Sequence, residues 1–288
     1  YLRHQYRRMC KARTVDNAYM TIHSFLLYFY TTTNRSLREL SRVDLEAFVE
    51  REQDRGLKGS TVRAQLARLR AFLHFLIDQE VLPSEVLSRK LTIKVPEALP
   101  KAIAAGDIKQ LLSVVTPVRD RALLLLLLRT GMRIGELLHT KVCDVDRAEQ
   151  KIMIYQAPKT ALGRVVYFSN DAHEALAAWL KERNPDAEYL FYGYGNGIMS
   201  YGADREIFTK YLKKAGLADK GYTIHCLRHT CASELLNAGM RLECLQKLLG
   251  HTNAEITRRY ARLTDKTREA EYFKAMERIE RGEIDGDY

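Results

Sequence analysis

The chain has 288 residues, 46% of them hydrophobic and 28% charged, enough apolar material for two separately cored domains. Its net charge of +10 and isoelectric point near 9.3 favour a polyanionic partner, nucleic acid ahead of an anionic membrane. The longest apolar run, Ala122 to Leu128, is too short to span a bilayer and reads as a buried helix. No signal-peptide pattern is visible, and the five cysteines (Cys10, Cys143, Cys226, Cys231 and Cys244) are odd in number without a CxxC pair. Reduced thiols and a cytoplasmic location are the expectation.

Residues 1 to 95 are predicted to be helical. Tyr19, Ile22, Phe25, Leu26 and Phe29 recur at helical spacing and make one apolar face. Ser41 is placed to cap a helix from Val43 to Glu52 that carries acids in its first turn. In the stretch from 56 to 79, GLKGSTVRAQLARLRAFLHFLIDQ, the residues Val62, Leu66, Leu69, Leu73 and Leu76 form a stripe to be buried. Lys58, Ser60, Thr61, Arg63, Gln65 and Arg68 crowd its N-terminal half, an arrangement suited to a DNA groove, although the residues by themselves favour a solvated charged face. Residues 90 to 101, KLTIKVPEALPK, hold two of the six prolines and read as a linker.

The second half opens with helices expected near Ala105 to Val114 and Val118 to Leu128. Arg133 follows Gly131 in a turn, where a structural ion pair with Glu136 competes with a functional role. From Lys151 to Ser169 the pattern alternates, KIMIYQ then GRVVYFS around APKTALG, predicting strand, turn and strand with Lys159 in the turn. Asp171 is expected to cap a helix running to about Arg183. The Gly193, Gly195 and Gly197 segment lacks the context of a phosphate-binding loop and reads as a plain turn, and no Walker motif occurs. Arg205 and Lys210 lie on the helix after it.

The chemistry-bearing stretch is HCLRHTCASELLNAGMRLECLQKLLGHTNAEITRRY, residues 225 to 260. His225 and Arg228, three apart on a helix, share a face and can grip one phosphate. A helix from Cys231 to Asn237, with Leu235 and Leu236 inward, is expected to end at Gly239, and another from Leu242 to Leu249 at Gly250. His251 follows that second end directly, and Tyr260 lies on or near the next helix. Arginine can hold phosphate oxygens, histidine can relay protons, and a tyrosine activated by nearby bases or cations can attack phosphorus. His225, Cys226, His229, Cys231 and His251 as a metal set do not match zinc-ligand spacing. Beyond Tyr260, residues 265 to 281 carry Ala270, Phe273, Met276 and Ile279 at threes, a narrow apolar seam that packs on its own chain or on a partner. Residues 282 to 288 read as an acidic tail.

Taken together, HCLRH at 225 to 229, LLGH at 248 to 251, ITRRY ending at 260 and RTGMRIGELL at 129 to 138 resemble the signature segments of the tyrosine recombinases, or phage integrases. The resemblance covers roughly residues 10 to 265. It implies a mainly α fold with a small β-sheet in the second domain: a helical core-binding domain at 1–95, a mixed α/β catalytic domain at 96–264, closing as a clamp, and a C-terminal helix and tail at 265–288. It further implies Arg133, Lys159, His225, Arg228 and His251 as catalytic residues around the nucleophile Tyr260. Lys58, Ser60, Thr61, Arg63, Arg68, Arg205 and Lys210 are the implied DNA contacts. The expected partner is double-stranded DNA bearing specific recombination sites, with the protein assembling as a homo-tetramer through its C-terminal helix. Neither cofactor nor metal is implied, since a phosphotyrosyl link retains the energy of the broken bond. A type IB topoisomerase, sharing the chemistry, and a non-catalytic DNA-binding regulator are the alternatives. Cys226 and Cys231 stand where relatives often carry larger hydrophobic residues, and Arg262 where many have histidine.

Overall fold

The computed structural model describes residues 1–88, 91–96, 100–155, 163–250, 272 and 276. The chain divides into two compact units, Tyr1–Glu97 and Ala98–Tyr288. Among the described residues no helix is long and apolar enough to cross a membrane.

The first unit is helical: α1 (Leu2–Arg7), α2 (Ala12–Thr33), α3 (Arg42–Asp54) and α4 (Gly59–Asp78). The long helices α2 and α4 pack on each other, with α3 against both. Phe25, Phe29, Phe48, Leu69 and Leu73 fill the space between them, Phe25 meeting Phe48 edge-on with centroids 5.2 Å apart. The α2 face differs from the sequence expectation at one end: Tyr19 is half exposed and lies against His23, while Ala18 takes the buried place. A tyrosine ring can sit at a surface with its polar tip wet, so helical spacing alone does not bury it. Helix α3 starts where Ser41 and Asp44 cap each other, the Ser41 N–H donating to the Asp44 carboxylate at 2.8 Å. Along α4, Val62, Leu66, Leu69 and Leu73 are buried and Leu76 is partly so.

The second unit contains α5 (Ala105–Ser113), α6 (Val118–Thr130), α7 (Ile134–Leu138), β1 (Val145–Asp146), β2 (Lys151–Ile154), β3 (Arg164–Tyr167), α8 (Asn170–Glu182), α9 (Tyr201–Lys214), α10 (Ile224–Asn237) and α11 (Leu242–Leu249). The Ala122–Leu128 run makes α6 the central helix: every one of its side chains is at most 2% exposed, and the helix packs on both α8 and α10. A helix apolar all round needs neighbours on several sides, which α8, α10 and β3 supply. The sheet is antiparallel in the order β1-β2-β3, with Ile152 opposite Val166 and Ile154 opposite Arg164. The strand-turn-strand pattern anticipated β2 and β3, whereas two-residue β1 was too short to show a period. Ser169, not Asp171, occupies the N-cap of α8. Asp171 sits in the first turn, accepts from the backbone N–H of Ala172 at 2.8 Å, and pairs with Arg129. It contributes the negative charge a helix start favours without being the cap.

Candidate active site

The site is assembled where α6 and α11 end and α7 and α10 begin. Helix α6 stops at Gly131, whose φ of +60° only glycine adopts readily; a Cβ there would meet Leu249 Cδ2 at 2.9 Å and Cys231 Sγ at 3.2 Å. The turn after it delivers Arg133 to the N-cap of α7, with extended backbone (φ −74°, ψ 144°). Helix α11 ends at Gly250, also left-handed at φ +63°. Its last carbonyls have no partner within the helix and carry the negative end of its dipole.

Three arginines from three elements meet those carbonyls in succession. Arg164, first residue of β3, donates through Nε to the Leu248 carbonyl at 2.8 Å. Arg228, in the second turn of α10, donates to the Leu249 carbonyl at 2.7 Å and to the Gly131 carbonyl at 2.6 Å. Arg133 donates to the Gly250 carbonyl at 3.1 Å. Cationic donors at a helix C-terminus satisfy both the hydrogen bonds and the field, so the end of α11 is fixed by the very groups that can hold an anion.

Glu136 ties two of the three together. Its fully buried carboxylate accepts from Arg133 Nη1 at 2.9 Å and the Arg133 backbone N–H at 2.7 Å, and from both terminal nitrogens of Arg164 at 2.9 and 2.7 Å. Burial pushes its pKa up, but hydrogen bonds from Arg164 and Arg133 and the charge of Arg164 outweigh burial and hold it below the usual carboxylate range. The ion pair between Arg133 and Glu136 weighed from the sequence therefore exists, and it forms one part of a larger cluster.

Arg228 is 7% exposed and Arg133 is half-buried, while His225 is exposed on the first turn of α10. Half-buried His229, one turn further on, is held below the usual histidine range by burial and by the charges of His225 and Arg228. Cys231 lines the floor under Gly131; burial pushes its thiol up to about 12, so it is an inert packing group. Lys159, His251 and Tyr260 lie outside the described residues, as do Ala270, Phe273 and Ile279 of the C-terminal seam; Met276 and Tyr272 are helical. Lys159 falls in the segment joining β2 to β3, and His251 follows Gly250. Among the described residues no group of three or more His, Cys, Asp or Glu side chains is placed to hold a metal.

Of the candidate DNA contacts, Lys58, Ser60, Thr61 and Arg63 are exposed at the start of α4. Arg68 is half-buried and donates to Thr21 Oγ1 at 3.3 Å, which makes it in part a bridge between α4 and α2. Arg205 and Lys210 are exposed on α9. Arg164 was absent from the sequence-derived set, though a signal existed: period-two alternation puts it on the same face of β3 as buried Val166 and on toward Phe168. An arginine on an inward face demands a carboxylate partner.

Comparison with known proteins decides the family. The model of the Phage integrase family matches residues 101–267, and that of the "Phage integrase, N-terminal SAM-like domain" matches residues 3–80. The chain belongs to the phage integrase family. Among curated integrase-family relatives, tyrosine recombinase XerA of Thermococcus kodakarensis is 32% identical over 222 residues, 75% of this chain and 76% of the relative. Tyrosine recombinase XerC of Bacillus pumilus is 27% identical over 274 residues, 90% and 89% of the two chains. The integrase fold is shared with the Tn1549 transposon integrase in complex with transposon right end DNA (TM-score 0.78, 20% identity, 96% of this chain and 98% of that one). It is shared too with the XerH site-specific recombinase bound to a palindromic difH substrate (TM-score 0.77, 21% identity, 92% and 80% coverage).

Proposed function

We propose that this integrase-family chain is a site-specific DNA recombinase that breaks and rejoins strands through a 3′-phosphotyrosyl intermediate, serving integration, excision or transposition of mobile DNA. The observation that carries the reading is the convergence of Arg133 and Arg228 on the last two carbonyls before His251. Two guanidinium groups set side by side supply what a pentavalent phosphorane needs, fixed positive charge at its non-bridging oxygens.

In this reading the phenol oxygen of Tyr260 attacks the scissile phosphorus, a P–O bond to tyrosine forms, and the bond to the 5′ oxygen breaks. Lys159 donates a proton to that departing oxygen, and His225 takes or relays the phenol proton. His251 donates a hydrogen bond that orients the phosphate. Attack by another strand's 5′ hydroxyl reverses each step, so the energy of the original bond is retained. The names of relatives and of the DNA-bound structures sharing the fold support a DNA partner. The exposed set Lys58, Ser60, Thr61 and Arg63 in the first unit, joined by Arg68, and Arg205 and Lys210 in the second, are the proposed contacts to its backbone and grooves. Residues 1–95 serve as core-binding domain and 96–264 as catalytic domain, while the helix in 265–288 joins protomers, building a tetramer that exchanges strands through a four-way junction.

The test is a pool of duplexes with a randomised centre and a single nick, which traps covalent protein because the short strand beyond the nick diffuses away. Wild-type protein is expected to yield an SDS-resistant adduct and Tyr260→Phe to yield none while still shifting the same DNA. A wild-type chain that forms no adduct on any member of the pool overturns the reading. Strand exchange between two selected duplexes, as opposed to relaxation of one plasmid, separates recombinase from topoisomerase.

A further inference from the structure

Arg133 has a difficulty that its own surroundings create. Among the described residues it is ion-paired with Glu136, a carboxylate with no exposed side-chain surface, at 2.9 Å. A guanidinium paired one-to-one with a buried carboxylate is electrically neutral, and a neutral pair has little left to offer a phosphate. Arg164 removes the difficulty. It is buried, 8% exposed at its side chain, and places both terminal nitrogens on the same carboxylate in a fork. Two guanidinium groups on one carboxylate leave a net charge of +1, and of the two only Arg133 is open toward the surface. The third nitrogen of Arg164 holds the Leu248 carbonyl, and its guanidinium packs where a Cβ on Gly250 would stand, 3.0 Å away. The same side chain thus restrains the residue from which the chain runs on into His251.

We propose that Arg164 is a positioning residue for strand transfer: it neutralises Glu136 so that the charge of Arg133 stays available to the scissile phosphate, and it anchors the end of α11 to β3. This rests on the recombinase reading above. Arg164 touches no DNA in this scheme; it acts through Arg133 and through the backbone at Leu248 to Gly250.

The test measures adduct formation on the selected nicked duplex for Arg164→Gln, Arg164→Lys, Glu136→Gln and the double variant Glu136→Gln/Arg164→Gln, with DNA affinity and melting temperature alongside. Arg164→Gln leaves Glu136 to neutralise Arg133 and is expected to slow adduct formation roughly 100-fold, as does loss of one preorganised electrostatic partner, with DNA affinity changed by less than about threefold. The double variant removes the offending carboxylate as well and is expected to recover at least about tenfold of that loss, because the charge of Arg133 is again uncompensated. Arg164→Lys keeps the cation and is expected to stay within about tenfold of wild type; it and the double variant carry the test should Arg164→Gln fail to fold. A double variant no faster than the single one, a folded Arg164→Lys as slow as Arg164→Gln, or an Arg164→Gln as fast as wild type each overturns the role of Arg164 while leaving the recombinase reading intact. Absence of any adduct with the wild-type chain overturns both.

Discussion

Arg133 and Gly250, 117 positions apart in the chain, are joined by a 3.1 Å hydrogen bond from guanidinium to carbonyl. The bond ties the arginine at the start of α7 and the carbonyl at the end of α11 into one unit. Gly250→Ala should break that unit. Its φ of +63° disfavours any Cβ, and the added methyl would meet the Arg164 guanidinium at 3.0 Å. A destabilisation of about 1–3 kcal/mol in urea denaturation is expected, together with a loss of adduct formation larger than a stability change of that size accounts for.

Arg133 and Arg228 should respond differently to truncation. Arg228 is buried and satisfies the carbonyls of Gly131 and Leu249, so Arg228→Ala leaves two buried acceptors unpaired and should cost roughly 2–4 kcal/mol of stability as well as activity. Arg133 is half-buried, and Glu136 keeps Arg164 as a counter-charge when Arg133 is removed. Arg133→Ala should therefore abolish adduct formation while costing less stability than Arg228→Ala. Equal destabilisation by the two variants contradicts this division.

Asp204 on α9 is fully buried, and neither of its carboxylate oxygens has a hydrogen-bond partner among the described residues. Burial pushes its pKa up to about 7, opposed by Arg119 and reinforced by Asp120. The folded state therefore holds this proton where the unfolded chain releases it, near pH 4. Stability should be greatest below that value, fall as pH rises toward 7, and level off above it. Asp204→Asn should raise the melting temperature at pH 8, leave it little changed at pH 4, and flatten the profile between. An unchanged melting temperature at pH 8 counts against a raised pKa.

On DNA, the exposed cations at the head of α4 should be read in the salt dependence. Replacing Lys58 and Arg63 together by alanine should make the slope of log affinity against log salt shallower by about 1.8, two phosphate contacts at about 0.9 each, with the melting temperature unchanged. Arg68→Ala should lower the melting temperature, since its guanidinium also bonds Thr21 across to α2. A slope indifferent to both variants removes α4 from the DNA-facing surface.

What the sequence determined by itself was everything carried by local periodicity and short-range motif. The apolar run of α6, the stripe of α4, the alternation of β2 and β3 and the glycines ending α6 and α11 are intervals of a few residues. Helix and strand geometry turn such intervals into faces and ends. The arginine boxes were likewise legible as short words. Tertiary structure decided which charges share one site. From the sequence, Glu136 was at most a local ion-pair partner competing with a functional role for Arg133, and Arg164 was one basic residue of a strand. Only packing of α7, β3 and α11 showed one carboxylate held by two guanidinium groups. Burial makes that arrangement obligatory, since a charge removed from water must find its counter-charge wherever the fold brings one, and distance along the chain carries no information about that.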